Sequence, residues 1–401
     1  MTIFTPTVTI DGTNIAGIVL RGATITRGKS DPDANPTPST AYLELVTADA
    51  DPTVSVDFPE FSYGEGVPSG FRSDYRTAYE GGETKLVAGT DVVIGITTPS
   101  GFRPDYVAAY AGGYEGTRFT GVVTALDYRY RTIALTAVDA SEPLARIMVD
   151  PSSWPVEDEV DRADRIATAA GITLDIVGTS GRDVTAVDAD QSPRSARALL
   201  DELADSNDAL LFTTRDGVLT YRTRDAVTGH ATVTIPPSST MRDALVMTQE
   251  LGRIVNRVTV EYGPPSSGVR PTVTVDDADS ITIHGVREGL PIVTVLDTLT
   301  DATAYANRVL DHYATVTWHM PSAPVNLLLA EADETLGIGQ LEAIVELDLD
   351  DDVVLPDLPP AAPLFEYASR VLGYVETLDR HAWSLALAMD PAGWTRQEIS
   401  A

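Results

Sequence analysis

Cysteine is absent from all 401 residues. That one absence excludes disulfide frameworks, thiolate metal sites, iron–sulfur clusters and cysteine nucleophiles together. Long apolar runs are missing too. No stretch reaches the roughly 18 consecutive apolar residues that a membrane-crossing helix needs, so the expectation is no membrane span. The segment Met1-Thr2-Ile3-Phe4-Thr5-Pro6 has neither the basic region nor the apolar stretch of a signal peptide, which predicts synthesis in the cytoplasm without export by that route. Basic residues are scarce, with 28 Lys and Arg against 59 Asp and Glu and a net charge of -31. A field of that sign repels phosphate, so no specific nucleic-acid binding is expected. Two readings of the acidity stay open: a surface kept soluble by charge, or a DNA conduit whose wall must not adhere.

The residues that carry chemistry are as sparse. Five histidines, His230, His284, His312, His319 and His381, include no pair at metal-ligand spacing on a predicted helix. Gly28-Lys29-Ser30 looks like the end of a phosphate loop, but Gly22 is one residue too far away and prolines follow where a helix N-terminus would be needed. No G-x-S-x-G elbow and no H-E-x-x-H motif occurs. With 59 acids, some carboxylate pair always falls at glycosidase spacing, so that pattern carries no information. The densest acidic run, Glu346 to Asp352, offers hard oxygens for calcium but lacks the glycine and terminal glutamate of an EF-hand loop, and a solvated strand end is the plainer reading. The expectation is a chain that is not an enzyme, with no catalytic, cofactor or metal site.

What is present is enough apolar residue, 43%, to build more than one core over a length that calls for two to four domains. Short alternating runs at Thr7–Ile10, Gly17–Arg27, Ala41–Val46, Lys85–Ile96 and Arg118–Val138, separated by Gly and Pro turns, predict an N-terminal β-barrel domain over 1–145. Composition then changes. A short helical piece over Asp139–Val149, an alanine-rich helix ending at Gly171, and a helix capped by Ser192 with Pro193 at its first position predict a small α/β module over 146–225. The second helix leads into a hairpin through Arg215-Asp216-Gly217. From 226 to 401 the β character returns as a second barrel domain, with strands at Ala231–Ile235, Ile254–Tyr262, Thr272–Val275, Ala323–Leu329, Ala343–Leu349, Ser369–Thr377 and Trp383–Met389. A helical insertion falls at about 300–315, capped near Thr300. The fold class is therefore mainly β with α+β modules: two barrel-type β domains joined by a small α/β domain.

One internal repeat stands apart. Residues 68–82, PSGFRSDYRTAYEGG, and residues 99–113, PSGFRPDYVAAYAGG, are identical at 11 of 15 positions with a shift of 31. Two copies are too few for a solenoid, which needs at least about three stacked units. They read as two similar loops off one barrel. Phe71, Arg72, Tyr75 and Tyr79, and their counterparts Phe102, Arg103, Tyr106 and Tyr110, are residue types that dominate protein contacts. They are the candidate interface residues. The plainer alternative is a duplication whose two loops pack against each other.

Several phrases in fixed order carry a resemblance: Ile25-Thr26-Arg27-Gly28 after a strand, Phe119-Thr120-Gly121-Val122-Val123, ALLDELADSNDALLFTTRDGVLTYRTRDA over 198–226, Ile254 to Val260, Ser280 to Gly285 before the helix at Asp301, and Trp383-Ser384-Leu385-Ala386-Leu387. Together they cover most of the chain, and it resembles the hub-type minor tail proteins of long-tailed bacteriophages, especially phages of high-GC hosts. The resemblance implies a tail-tip (baseplate) hub and virion structural protein in which three chains close into a ring of six barrels around a channel. That ring would join the tail tube to the tip and let DNA pass during ejection. The partners implied are further hub copies, the distal tail or tail tube protein, the tape-measure protein and other tip proteins, and the place is the distal end of the tail in the virion. The repeated loops belong to no pattern of that family. Alternatives remain: a receptor- or carbohydrate-binding tail protein, which needs exposed aromatics on one face, whereas Trp154, Trp318, Trp383 and Trp394 are scattered along the chain; a cell-wall hydrolase; or a component of a related contractile injection device. Replacing Phe71, Tyr75, Phe102 and Tyr106 with Ala is expected to abolish tail assembly while circular dichroism of the purified subunit stays unchanged; normal tails from that variant contradict the interface reading.

Overall fold

The computed structural model describes residues 5–10, 13–14, 19–29, 37–46, 91–97, 115–128, 132–189, 191–226, 232–240, 245–249, 251–264, 269–320, 322–332, 336, 338–358, 362, 364–378 and 383–391. The repeated segments 68–82 and 99–113, with Phe71, Arg72, Tyr75, Tyr79, Phe102, Arg103, Tyr106 and Tyr110, lie outside the described residues, as do His230, His381 and Trp394.

The chain is mainly β. Its first part supplies β1 (Thr5–Ile10), β2 (Thr13–Asn14), β3 (Val19–Gly28), β4 (Thr40–Val46), β5 (Asp91–Thr97), β6 (Glu115–Tyr128) and β7 (Thr132–Val138). They pair antiparallel in the order β2-β1-β5-β6-β7-β4-β3. Alternation sets the faces: Ala41, Leu43 and Leu45 of β4 are buried while Tyr42 between them is exposed.

The α/β module follows. It holds β8 (Met148–Val149), β9 (Glu157–Asp158), α1 (Glu159–Ala170), β10 (Asp175–Val177), β11 (Asp183–Val184), β12 (Arg194–Ser195), α2 (Ala196–Asn207), β13 (Leu210–Thr213) and β14 (Leu219–Arg222). Asp158 caps α1 by accepting from the Val160 amide, and Gly171 ends it in the left-handed conformation at φ +67°. The α2 cap is Ser195, three residues later than the Ser192 that sequence favoured. Arg194 and Ser195 are drawn into pairing with Val149 and Met148, which delays the helix by one turn. Leu199, Leu200 and Leu203 bury against Ile166, Leu211 and Tyr221, and the β13–β14 hairpin turns through Gly217 at φ +87°.

After β15 (Val233–Thr234) an inserted unit intervenes: β16 (Arg257–Glu261), β17 (Thr272–Asp276), α3 (Ala278–His284), β18 (Ile292–Val293) and α4 (Leu299–Tyr313). Its strands pair in the order β17-β16-β18, and Ala302, Ala306 and Leu310 of α4 close a core over Val258 and Val260. The insertion is therefore larger than the single helix read from sequence. The α4 cap is Thr298, whose hydroxyl accepts from the Asp301 amide at 3.1 Å.

The last part holds β19 (Ser322–Asn326), α5 (Leu327–Ala332), α6 (Ile338–Glu346), β20 (Asp352–Leu355), β21 (Tyr367–Leu378) and β22 (Trp383–Pro391). Ala343–Leu349 was expected as strand, yet Ala343 to Glu346 form the end of α6, which packs on β15 and buries the adjacent pair Ile344 and Val345 together. Neighbouring apolar residues on one side need a helix, and tertiary packing overrides their β preference. Likewise Leu327 to Leu329 turn from strand into α5.

Strands from both ends of the chain share one sheet of 12 strands, because β3 pairs antiparallel with β21 from Ala23↔Leu378 to Gly28↔Gly373. On either side of this seam the same order recurs. The first part runs β1-β5-β6-β7-β4-β3; the last runs β15-β20-β21-β22-β19, with Thr240 and Thr248 bridging to Val325 and His319 where β3 would lie. Corresponding strands also follow the same chain order, although β15 meets β20 in parallel over two residues where β1 meets β5 antiparallel.

The seam depends on two glycines. A Cβ on Gly373 would lie 2.2 Å from the Lys29 carbonyl oxygen, and one on Gly28, at φ +74°, 2.3 Å from that of Leu372. Gly373→Ala is expected to destabilise the chain by about 3 kcal/mol through overpacking. Gly171→Ala, at a similar positive φ but with nothing within 4 Å, is expected to lose about 1 kcal/mol. Urea unfolding measures both, and equal losses would contradict the close approach.

Candidate assembly interface

The polar groups at the seam are buried and come from distant parts of the chain. Arg118 on β6 is fully buried, and its Nε donates to both Glu376 carboxylate oxygens, at 2.9 and 3.1 Å. One of its terminal nitrogens donates to the Val345 carbonyl at 2.6 Å. Trp383 completes the arrangement: its indole N–H donates to Glu376 Oε1 at 2.7 Å and its ring lies 5.7 Å from the guanidinium. Strand β6, strands β21 and β22, and helix α6 are thus tied through one ion pair that carries charge in the core. Such a pair is costly to break from one side only.

A second cluster docks the α/β module. Arg27 on β3 donates to the Tyr374 hydroxyl at 3.2 Å, ion-pairs with Asp348 at 3.0 Å, and donates to the Thr213 carbonyl at the end of β13. Arg215, from the hairpin turn, donates to Tyr374 at 3.3 Å and to the Leu347 carbonyl at 2.5 Å. Arg222 reaches Asp350 at 3.2 Å, and Arg370 reaches Asp350 at 3.6 Å and Asp352 at 3.1 Å. The acidic run is therefore neither a calcium loop nor a solvated strand end. Its alternate aspartates are the counter-ions of arginines from three parts of the fold, and Asp350 is only 3% exposed. No group of three or more His, Cys, Asp or Glu suited to a metal occurs among the described residues.

The inserted unit is fastened to the α/β module by backbone. Thr185 N–H donates to the Val295 carbonyl at 2.8 Å, Asp297 N–H to that of Asp183 at 2.9 Å, and Arg308 pairs with Asp208. Two glutamates nearby have opposite environments. Burial works to raise Glu157, but hydrogen bonds from Arg165 and Arg162 hold its carboxyl below the usual range. Glu159 is raised by desolvation, which outweighs its hydrogen bond from Tyr221 at 2.8 Å and the nearby Arg182 charge.

The outer surface is of another kind. In the inserted unit Ile283, Val286 and Leu290 are 74%, 54% and 89% exposed, and Val269, Val293 and Leu299 are exposed as well. Of the four tryptophans, Trp383 is committed inside, 3% exposed with its N–H bound to Glu376. Trp154 packs beneath Arg162, 5.4 Å from its guanidinium. Among the described residues no helix is long and apolar enough to cross a membrane.

Compared as a sequence, the chain matches no protein-family model and no curated protein. Compared as a fold, it is similar over nearly its whole length to several solved structures. The 43 kDa tail protein of prophage MuSo2 from Shewanella oneidensis aligns with a TM-score of 0.57 at 14% identity, covering 96% of this chain and 98% of that one. A tail protein from Neisseria meningitidis MC58 aligns with a TM-score of 0.60 at 12% identity, covering 97% of each. Prophage tail protein gp18 from Listeria monocytogenes EGD-e gives 0.54 at 10% identity, covering 97% and 95%. The chain has the fold of these tail proteins from end to end.

Two outcomes follow from the buried groups. Glu376→Leu leaves Arg118 charged without its carboxylate and is expected to cost about 3–5 kcal/mol in urea unfolding, with Arg118→Met in the same chain recovering part of the loss; a cost below about 1 kcal/mol contradicts the pairing. Glu159 has a folded-state pKa above its unfolded value, so stability falls as pH rises from the unfolded value through the folded one. Glu159→Gln, which keeps an acceptor for Tyr221, is expected to be more stable than the parent at neutral pH. The difference vanishes below about pH 4, where the parent carboxyl is protonated in both states.

Proposed function

We propose that the chain is a structural subunit of a phage tail, and more narrowly of the hub at the tail tip, where three copies close into a ring around the DNA path. The observation that carries this reading is the recurrence of one strand order on both sides of the β3–β21 seam, in a chain whose fold is that of tail proteins over its whole length. Three chains with two such halves each present six similar units, the number needed to meet a six-fold tube from a three-fold tip. The role is mechanical and not catalytic. The seam and its buried ion pairs resist shear, and the exposed apolar side chains of the inserted unit face other tail proteins. Further hub copies, the tail tube or distal tail protein, the tape-measure protein and other tip proteins are the proposed neighbours.

Electrostatics supports the conduit. Arg27, Arg118, Arg162, Arg215, Arg222 and Arg370, six of the 28 basic residues, are engaged by carboxylates inside the fold. The excess of 59 acids over 28 bases leaves the outer field negative, and DNA passes such a wall without adhering. Particles assembled with an epitope-tagged chain test the placement. Antibody is expected at one end of the tail, distal to the head; label along the tube or at the head would contradict it.

A further inference from the structure

Where the α/β module meets the inserted unit, the fold holds an open cavity of about 100 Å³. Much of its lining is apolar: Trp154, Ile166, Leu199 and Leu203 from the module and Val295 from the inserted unit. Three polar residues line it as well, and each has donor capacity left over. Arg162 on α1 is 4% exposed. Its Nε donates to Glu157 at 2.5 Å and one terminal nitrogen donates to the carbonyls of Pro155 and Thr185, at 2.8 and 3.1 Å, which leaves the other terminal nitrogen without a partner. Thr185 is 3% exposed; its N–H and carbonyl are both bonded, yet its hydroxyl has no partner in the protein. Arg270 reaches in from the residues before β17, donates to the Thr294 carbonyl at 2.6 Å, and pairs with no carboxylate among the described residues.

The charges around the cavity lean the same way. The lining carries Arg162, Arg194 and Arg270 against Asp188 and Glu202. Glu202 is engaged by Arg194 at 2.6 Å, and Asp188 is exposed to solvent. Glu157 is shared between Arg162 and Arg165, so Arg162 has no counter-ion to itself. Unmet donors beside under-neutralised guanidinium groups select an anion with acceptor oxygens, and the guanidinium fork suits carboxylate and phosphate alike. The apolar wall decides between the two. Inorganic phosphate would lose water against Trp154, Leu199 and Val295 and gain nothing there, whereas a carboxylate on a carbon stem matches the donors at one end and the wall at the other. Size agrees: a cavity of roughly 150 Å³ takes a benzene ring, so this smaller one suits a stem of about two or three carbons.

We propose that this cavity binds an organic carboxylate on a short stem, its oxygens held by Arg270, Arg162 and the Thr185 hydroxyl and its carbons laid against Trp154 and Leu199. Two sources offer that chemistry: the glutamate side chain of another protein, and a free small acid. Either way the bound group touches both the module and the inserted unit and ties them together. The inference stands apart from the hub reading, because it rests on the lining of the cavity alone.

Saturation-transfer NMR on the full chain tests this with propionate, its neutral isostere propionamide, inorganic phosphate as competitor, and N-acetylglutamate α-amide, which presents the propionate stem from a peptide backbone. Propionate is expected to bind and propionamide not. Arg270→Met is expected to weaken propionate by roughly tenfold or more, and Arg270→Lys by less. Thr185→Val, which keeps the shape and removes the hydroxyl, gives a second reading of the same site, and circular dichroism checks that each variant folds. Binding of the glutamate derivative as tightly as propionate assigns the site to a partner's side chain; binding of propionate alone assigns it to a free acid. The proposal is overturned if neither carboxylate binds, if propionamide binds equally, if phosphate at equal concentration displaces propionate, or if the folded Arg270 and Thr185 variants bind propionate like the parent.

Discussion

Where β3 runs along β21, two glycines bring backbones together at a distance that no side chain tolerates, and a fully buried Arg118–Glu376 pair lies in the core between the two halves. Everything else is positioned from this seam. Arg27 leaves β3 toward Tyr374 and Asp348 and reaches the hairpin of the α/β module, so that module sits over the seam and not on either half alone. The inserted unit hangs from the module through Thr185, Val295 and Asp297. The two halves also share one hydrophobic core, in which Ile25, Leu43 and Phe119 cluster with Val325, Ile344 and Leu385.

Charge has two roles in this chain. Inside, arginine forks match carboxylates and carbonyls at fixed geometry, which specifies how distant segments meet more than it stabilises them, since desolvation offsets much of the attraction. Outside, the surplus of acids repels phosphate. The sequence imbalance is thus met in part by the fold: several of the few bases, Arg27, Arg118, Arg215 and Arg222 among them, pair with carboxylates in the interior.

Local structure was legible where chemistry is local. Gly171 ends α1, the Asp216-Gly217 turn makes its hairpin, and alternation marks β4, β21 and β22. Tertiary constraints were not. Ala343 to Glu346 carry β-forming residues and still end a helix, because Ile344 and Val345 must be buried side by side. Nothing in the pattern around Arg118 distinguishes it from a surface arginine, and the acidic run found its partners at Arg27, Arg215, Arg222 and Arg370, far away in the chain. The recurring strand order was hidden because β15 is reduced to two residues and a whole unit with its own core separates Thr248 from β19. The repeated Phe/Arg/Tyr segments, the most conspicuous feature of the sequence, lie outside the described residues, so their role rests on the sequence reading.

The measurement that tests the central claim most directly is the mass and shape of the purified chain at several micromolar, by light scattering with negative-stain imaging. A subunit built to close a hub predicts particles of three chains around an open channel. A compact monomer at every concentration, with cell-wall glycan binding, would contradict that account and favour a receptor-binding role.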